Sequence, residues 1–186
     1  VIRKLPIAID AIDEIVMIDN LSTQRFSSLY NLPSKKYIFI EGDIRTLDLD
    51  YYVNQVDYVI HLAAITDAAG SFGNAHEVES NNYVCTEMIA KSCLKNNVKL
   101  ITLSSTSVYG TQAEVVDEEC ALDDLNPQSP YAETKLREER FIQELNKDGL
   151  QAVCCRFGTI YGESIGMRFH TAVNKFCWQA AFGNPI

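Results

Sequence analysis

Ser105 and the tetrad Tyr131-Ala-Glu-Thr-Lys135 carry the side chains best suited to chemistry in this 186-residue chain. A phenol and an ammonium spaced i,i+4 lie one turn apart on one helix face. A Lys cation that close favours the phenolate, which makes Tyr131 a base well below the ordinary tyrosine pKa of about 10. Ser105 closes the strand-like run Lys99-Leu-Ile-Thr-Leu-Ser-Ser105 and offers a hydroxyl to the same reacting oxygen. Such a trio can take a proton off an alcohol while a hydride leaves its carbon. The chain has nine tyrosines, so the tetrad alone says little and its surroundings must decide.

The elements that must position these groups are legible as periodicity. Apolar, β-branched runs fall at residues 14–19, 37–41, 57–63, 99–105 and 151–156. Runs without clean alternation suit strands covered on both faces. Between them, residues 77–96 carry Val84, Met88, Ile89 and Cys93 at helical spacing. Residues 131–147 do the same with Leu136, Phe141, Ile142 and Leu145, and a further helix is expected over about 171–182. Strands alternating with helices predict an α/β fold with a parallel sheet wound by right-handed crossovers. The acidic stretch 110–130, with Pro127 and Pro130, is long enough to shape a site.

Composition narrows the class. The formal charge is −9 and no basic stripe exists, so nucleic acid is not an expected partner. No apolar run approaches the roughly 20 residues that span a bilayer, and no membrane partner is expected. None of the six cysteines forms Cys-x-x-Cys or has histidines at zinc spacing. They read as reduced thiols, mostly buried, in a cytoplasmic protein, and no metal site is expected. Cys154 and Cys155, adjacent in one strand, should face opposite ways.

The ends of the predicted strands carry a consistent set of signals. Asp19 ends the first run, where an acidic residue accepts hydrogen bonds from an adenosine ribose and repels a 2′-phosphate. Gly42-Asp43-Ile44 follows the second run, where an Asp can reach an adenine amino group. His61-Leu-Ala-Ala64 ends the third, and its small residues let a ligand lie on the strand end. His61 itself reads as a packed strand histidine. Asn82 offers an amide contact early in the next helix; the alternative is a cap or surface Asn. These signals come in the order that a doubly wound dinucleotide fold requires.

Leu103-Ser-Ser-Thr-Ser-Val-Tyr-Gly110, followed by Asn126-Pro-Gln-Ser-Pro-Tyr-Ala-Glu-Thr-Lys135, resembles the extended short-chain dehydrogenase/reductase family. Within it the chain is similar to the NAD-dependent nucleotide-sugar epimerases and dehydratases, over about residues 12–186. Asp19-Asn20-Leu-Ser22 and Arg156-Phe-Gly-Thr-Ile-Tyr-Gly162 join the match. The resemblance implies a doubly wound parallel Rossmann sheet that binds NAD. It implies that Asp19, Asn20 and Ser22 hold the adenosine ribose, and Asp43 and Ile44 the adenine. Leu62, Ala63, Ala64, Ile65, Asn82 and Gly158 would line the rest of the cofactor. Ser105, Tyr131 and Lys135 would be the catalytic trio, with Tyr131 and Lys135 also on the nicotinamide side. Thr66, Thr106, Thr159 and Arg168 would face a nucleotide-diphosphate sugar, Arg168 at the diphosphate.

Two departures refine these expectations. The family's Gly-x-x-Gly-x-x-Gly loop, whose backbone approaches the pyrophosphate, is absent, as is the first strand before it. Residues 1–11 are expected to be the remnant of the helix after that loop. The chain therefore reads as an internal piece, with residues 1–162 an N-terminally truncated dinucleotide domain and 163–186 the start of a small substrate domain. Where dehydratases of the family carry an Asp-Glu pair, this chain has Thr106 and Ser107, which cannot do carboxylate work. That favours an epimerase, which oxidises the sugar at C4 and returns hydride to the other face. A dehydratase, reductase or decarboxylase on the same scaffold, or a dinucleotide-binding protein without catalysis, are the alternatives. The resemblance also implies a homodimer built from the helices at 77–96 and 131–147, which exposed apolar residues on both would support.

Overall fold

The computed structural model describes residues 1–23, 26–32, 36–66, 70–111, 115–121, 124–167, 169 and 171–186. They form two compact units, Leu47–Gly158 and the pair of segments Val1–Thr46 and Thr159–Ile186. The segmented unit contains α1 (Leu5–Ala8), β1 (Glu14–Asp19), β2 (Lys36–Glu41) and, near the end of the chain, α5 (Ala172–Ala181). The continuous unit contains α2 (Leu49–Val53), β3 (Tyr58–His61), α3 (Ala75–Asn96), β4 (Lys99–Ser105), α4 (Pro130–Lys147) and β5 (Ala152–Phe157).

In the continuous unit β4 is the central strand, paired in parallel with β3 on one edge and β5 on the other. The register sets His61 beside Thr102 and Thr102 beside Cys154. Partners in a parallel ladder point to the same face. One face therefore presents Leu100, Thr102 and Ser104, all buried, and Arg156, which reaches α4. The opposite face carries Tyr58, Val153 and Phe157, exposed by 56%, 60% and 45%. Within this unit the strands are thus covered on one face by α3 and α4, where the apolar runs predicted cover on both. The runs are apolar on both faces, but the unit's own two long helices reach only one.

Both long helices have clear end signals. Ser129 caps α4 by accepting from the Ala132 N–H at 3.2 Å, and Pro130 occupies the first turn, where its missing N–H costs nothing. Helix α3 stops at Asn97, whose left-handed φ of 54° lets the Val98 N–H reach back to the Cys93 carbonyl at 2.9 Å. Asp50 on α2 fastens the end of α3 by accepting from Ser92 at 2.6 Å, from Asn96 at 3.1 Å, and from Lys95. Across the α3–α4 seam, Tyr83 meets Phe141 edge-on at 5.9 Å, and the Arg137 guanidinium lies 3.8 Å over the Tyr83 ring.

In the segmented unit β1 and β2 form a parallel pair from Glu14↔Lys36 to Asp19↔Glu41. Helix α1 is a single turn beginning at Leu5, with Pro6 next to it, so only part of the expected 1–11 helix forms. All strand pairs among the described residues are parallel, as a doubly wound fold requires. In the order 3-2-1-4-5-6, the two ladders correspond to strands 3-2 and 4-5-6. Strand 1 has no counterpart among the described residues.

All six cysteines are free, but only Cys85 and Cys93 are buried, fewer than expected; Cys177 is exposed. Cys177 lies on the short α5, much of whose surface is open, including Val173, Phe176 and Trp178. None of the large exposed apolar side chains among the described residues lies on α3 or α4. No described helix is long and apolar enough to cross a membrane.

Leu100 is 1% exposed at the second position of the central strand. Replacing it with Ala should cost about 3 kcal/mol, because the packed strand cannot collapse into the space. Urea unfolding of the purified protein checks this; a loss under about 1 kcal/mol would show that the β4 face is loosely packed.

Candidate active site

The candidate trio stands where β4 hands over to a 3-10 turn and where α4 begins. Ser105 is the last residue of β4 and caps the 3-10 turn Thr106–Tyr109. Its Oγ accepts from the Ser107 N–H at 3.2 Å and from the Ser107 hydroxyl at 2.8 Å. With two bonds accepted, the Ser105 O–H remains available to donate. Gly110 ends the turn at φ 73°, and any Cβ there would come within 2.3 Å of the Asn126 carbonyl oxygen. Only glycine allows both that conformation and that approach. Beside the turn, Val108, Tyr109, Leu125 and Leu136 form a buried cluster that ties it to α4.

Tyr131 lies in the first turn of α4, where backbone N–H groups lack helical partners. Its N–H donates to the buried Ser71 Oγ at 3.3 Å. Tyr131 is 9% exposed and Lys135, one turn on, is 4% exposed. The structure thus buries the phenol and the ammonium together on one turn, as the tetrad spacing predicted.

Lys135 does not stand alone. Its Nζ donates to Glu138 Oε2 at 2.9 Å, an ion pair that is almost fully buried. The same oxygen accepts from the Thr86 hydroxyl on α3 at 3.1 Å, and Thr86 Oγ1 lies 3.2 Å from His61 Nε2 on β3. Next to it, Glu139 binds Arg156 of β5 through two nitrogens, at 2.7 to 3.2 Å. Arg156 also lies over the Tyr109 ring at 4.8 Å. Sequence reading did not single out Thr86 or Glu138. The usable signals were spacings: Glu138 is three residues beyond Lys135, and Thr86 is one turn beyond Asn82.

Burial gives this cluster its electrostatics. Desolvation, aided by the positive charge of Lys135, lowers the His61 pKa to about 4, so the ring is neutral near pH 7. Desolvation also raises the Glu138 pKa, against the opposing pull of Lys135 and Thr86. Cys154 is pushed up to about 12 by burial and by the nearby Glu139 and Glu138.

At the end of β3, Leu62, Ala63 and Thr66 are exposed, and Ala64 and Ile65 are half-buried. Asn82 is fully buried, not at the surface. Its Oδ1 accepts from the Ile65 N–H at 2.8 Å and its Nδ2 donates to the Ile65 carbonyl at 2.9 Å. The amide therefore fixes the backbone of the segment expected to carry the cofactor. Thr106 and Gly158 are exposed.

The segmented unit brings another subset together. The Asp19 carboxylate, exposed at the end of β1, accepts from the Leu21 N–H at 2.7 Å, and the Asn20 side chain accepts from the Ser22 N–H at 3.1 Å. Asn20 also donates to Asp43 at 3.2 Å, so the ends of β1 and β2 meet. Arg45 grips Asp43 through Nε at 2.8 Å and Nη2 at 2.6 Å, holding its carboxyl well below the usual range. Ile44 is buried. Thr159 is exposed in this unit, and Arg168 lies outside the described residues.

Comparison with known proteins adds family context. Residues 8–181 match the family model described as the NAD dependent epimerase/dehydratase family. A protein of Bacillus subtilis (strain 168) described as an uncharacterized UDP-glucose epimerase is 32% identical over 153 residues, covering 80% of this chain and 48% of the relative. A trifunctional UDP-glucose 4,6-dehydratase, 3,5-epimerase and reductase of Arabidopsis thaliana is 31% identical, covering 93% of this chain and 27% of that protein. The solved UDP-glucuronic acid 4-epimerase from Bacillus cereus, in complex with UDP-glucuronic acid and NAD, superposes with a TM-score of 0.81 at 27% identity. That match covers 99% of this chain and 60% of the other.

The buried His61 makes stability depend on pH. It is neutral in the fold but binds a proton in the unfolded chain below about pH 6.5. The stability it contributes is whole above that pH and is lost as pH falls towards the folded value of about 4. Between pH 7 and 4.5 the wild type should lose about 2 kcal/mol more than a His61→Gln variant in urea unfolding. Equal losses would mean that the fold does not lower the His61 pKa.

Proposed function

Because the chain belongs to the NAD dependent epimerase/dehydratase family, we propose that it carries the catalytic machinery of a nucleotide-sugar epimerase acting at sugar C4. The observation that carries this reading is the burial of Tyr131 and Lys135 on one turn of α4, with only hydroxyls at the two positions after Ser105. In this reading Tyr131 takes the proton of the sugar hydroxyl and later gives it back. The Ser105 O–H donates to the same oxygen, held in place by the two bonds from Ser107. Lys135 supplies the positive charge that favours the phenolate. NAD, when bound, takes up the C4 hydride and returns it to the other face of the keto-sugar.

The residues present suit that cofactor at its two ends. Asp19 and Asn20, oriented by their own turn, would hold the adenosine ribose, with Ser22, Asp43 and Ile44 nearby. Leu62, Ala63, Ala64 and Ile65, fixed by Asn82, would lie along the nicotinamide side with Tyr131, Lys135 and Gly158. Thr66, Thr106, Thr159 and Arg168 would meet the sugar nucleotide. Residues 1–162 would then belong to the dinucleotide domain and 163–186 to the start of a substrate domain. The free thiols support a cytoplasmic location.

A dehydratase needs a further acid and base for C5 and C6, and Thr106 and Ser107 offer neither. The test is to incubate the purified protein with a panel of sugar nucleotides and follow C4 stereochemistry by NMR. Inversion at C4 without net NADH is expected; loss of water or CO₂ would move the assignment to another reaction. Tyr131→Phe should lower kcat by about 10³-fold while NAD stays bound. Retained turnover would remove Tyr131 from the role of base.

We also propose that two copies pair through α3 and α4. Among the described residues neither helix exposes a large apolar side chain, so the apolar support expected from the sequence is missing, and the pairing would rest on a groove of about 350 Å³ lined in part by Tyr83, Val84 and Arg137. Sedimentation equilibrium should give a dimer at micromolar concentration, and Tyr83→Glu should shift it to the monomer. A wild-type monomer would exclude this interface.

A further inference from the structure

Lys135 is held by a buried acid that the reaction as described does not use. Glu138 lies one turn further along α4, and one of its oxygens accepts from both Lys135 Nζ and the Thr86 hydroxyl. Its other oxygen, Oε1, is buried without a hydrogen-bond partner among the described residues. A carboxyl group gains little stability from such a place, because desolvation offsets most of the attraction. Little water screens the pair, however, so the field of the carboxylate reaches the groups beside it.

The groups around Glu138 leave that charge unopposed by anything else. On α4 itself, Glu139 is taken up by Arg156 in a two-nitrogen ion pair. From α3 comes only the neutral Thr86 hydroxyl. From β3 comes His61, and from β5 Cys154; burial keeps both neutral near pH 7. Glu138 is therefore the remaining titratable group in contact with the Lys135 ammonium.

We infer that Glu138 is a positioning residue for Lys135, holding its ammonium in place and moderating the positive field that this ammonium exerts on Tyr131. The inference rests on the reading of Tyr131 and Lys135 as a catalytic pair. Glu138 anchors Lys135 to α3 through Thr86, so the ammonium cannot swing freely. The carboxylate also offsets part of the positive charge, which raises the pH at which the Tyr131–Lys135 pair loses its first proton. That proton belongs to the pair and not to either residue alone. Removing a negative charge beside the pair must move this loss to lower pH, whichever group gives up the proton.

The test compares wild type with Glu138→Gln in two measurements on the purified protein. In the first, protein labelled with ¹³C at tyrosine Cζ is titrated by NMR, and Tyr131→Phe identifies the Tyr131 signal. Glu138→Gln should shift the first titration step of that signal to lower pH by about one unit. In the second, the acid limb of kcat/KM against pH should move the same way, giving about fivefold more activity one unit below the wild-type limb. Glu138→Leu, which also removes the negative charge, should give a shift in the same direction. It also serves as the second variant if Glu138→Gln fails to fold. A Tyr131 signal that titrates identically in wild type and variants, or moves to higher pH, overturns the inference. Turnover that survives Tyr131→Phe would overturn the catalytic reading instead, and the NMR titration would still decide the effect of Glu138.

Discussion

Strand β4 is hydrogen-bonded along both edges, and its register with β3 and β5 sets the position of every group in the continuous unit's site. Ser104 lies opposite Arg156 and Ser105 opposite Phe157. Arg156 therefore emerges on the face covered by α4, where it clamps Glu139. That clamp fixes α4 along its axis, and with it Tyr131 two turns earlier and Lys135 one turn earlier. A slip of one residue would turn every β4 side chain to the other face. The ladder and the Arg156–Glu139 pair thus act as one device: the first sets the hydroxyl, the second sets the phenol.

The seam between α3, α4 and the sheet is unusually polar for a protein interior. Asn82, Thr86, Thr102, Lys135, Glu138 and Glu139 are all buried there. Each must find a partner, because an unpaired buried polar group costs about 1–3 kcal/mol. Most do: Asn82 satisfies the Ile65 backbone, and Thr86 joins His61 to Glu138. An apolar seam of the same shape would be at least as stable. The polar groups are better understood as fixing positions and charges, the requirement of a site that must hold one ammonium at one turn of a helix.

Much of this was legible in the sequence. The helical spacing placed α3 and α4 to within two residues, and the i,i+4 tetrad correctly implied a phenol and an ammonium on one turn. The run ending in Ser105 is a strand ending in Ser105. Other features depend on tertiary contacts that no local pattern encodes. In sequence Asn82 reads as an amide contact to the cofactor, with a cap or surface residue as the alternative, and its hold on the backbone of Ile65, in a separate segment, is not visible there. Glu138 is not singled out in sequence, because it stands in the charged run Arg137-Glu138-Glu139-Arg140 and only packing against α3 buries it. The strands looked covered on both faces because apolar runs do not reveal which helices supply the cover.

The chemistry around Ser105 and Tyr131 suits a proton that leaves and comes back. Ser105, Thr106 and Ser107 offer hydroxyls and no carboxylate, so a second proton from a neighbouring carbon has no base waiting for it there. In the proposed reaction Tyr131 is the group in the trio that accepts the proton and returns it. Such a group works best when neither form is strongly preferred at the working pH. A bare ammonium one turn away in a buried site would hold it too firmly as the phenolate, a good acceptor but a poor donor on the return. In the proposed reaction, a buried carboxylate 2.9 Å from that ammonium would lessen the bias without adding a competing base at the reacting oxygen. The Lys135–Glu138 pair thus fits a reversible step better than a one-way one.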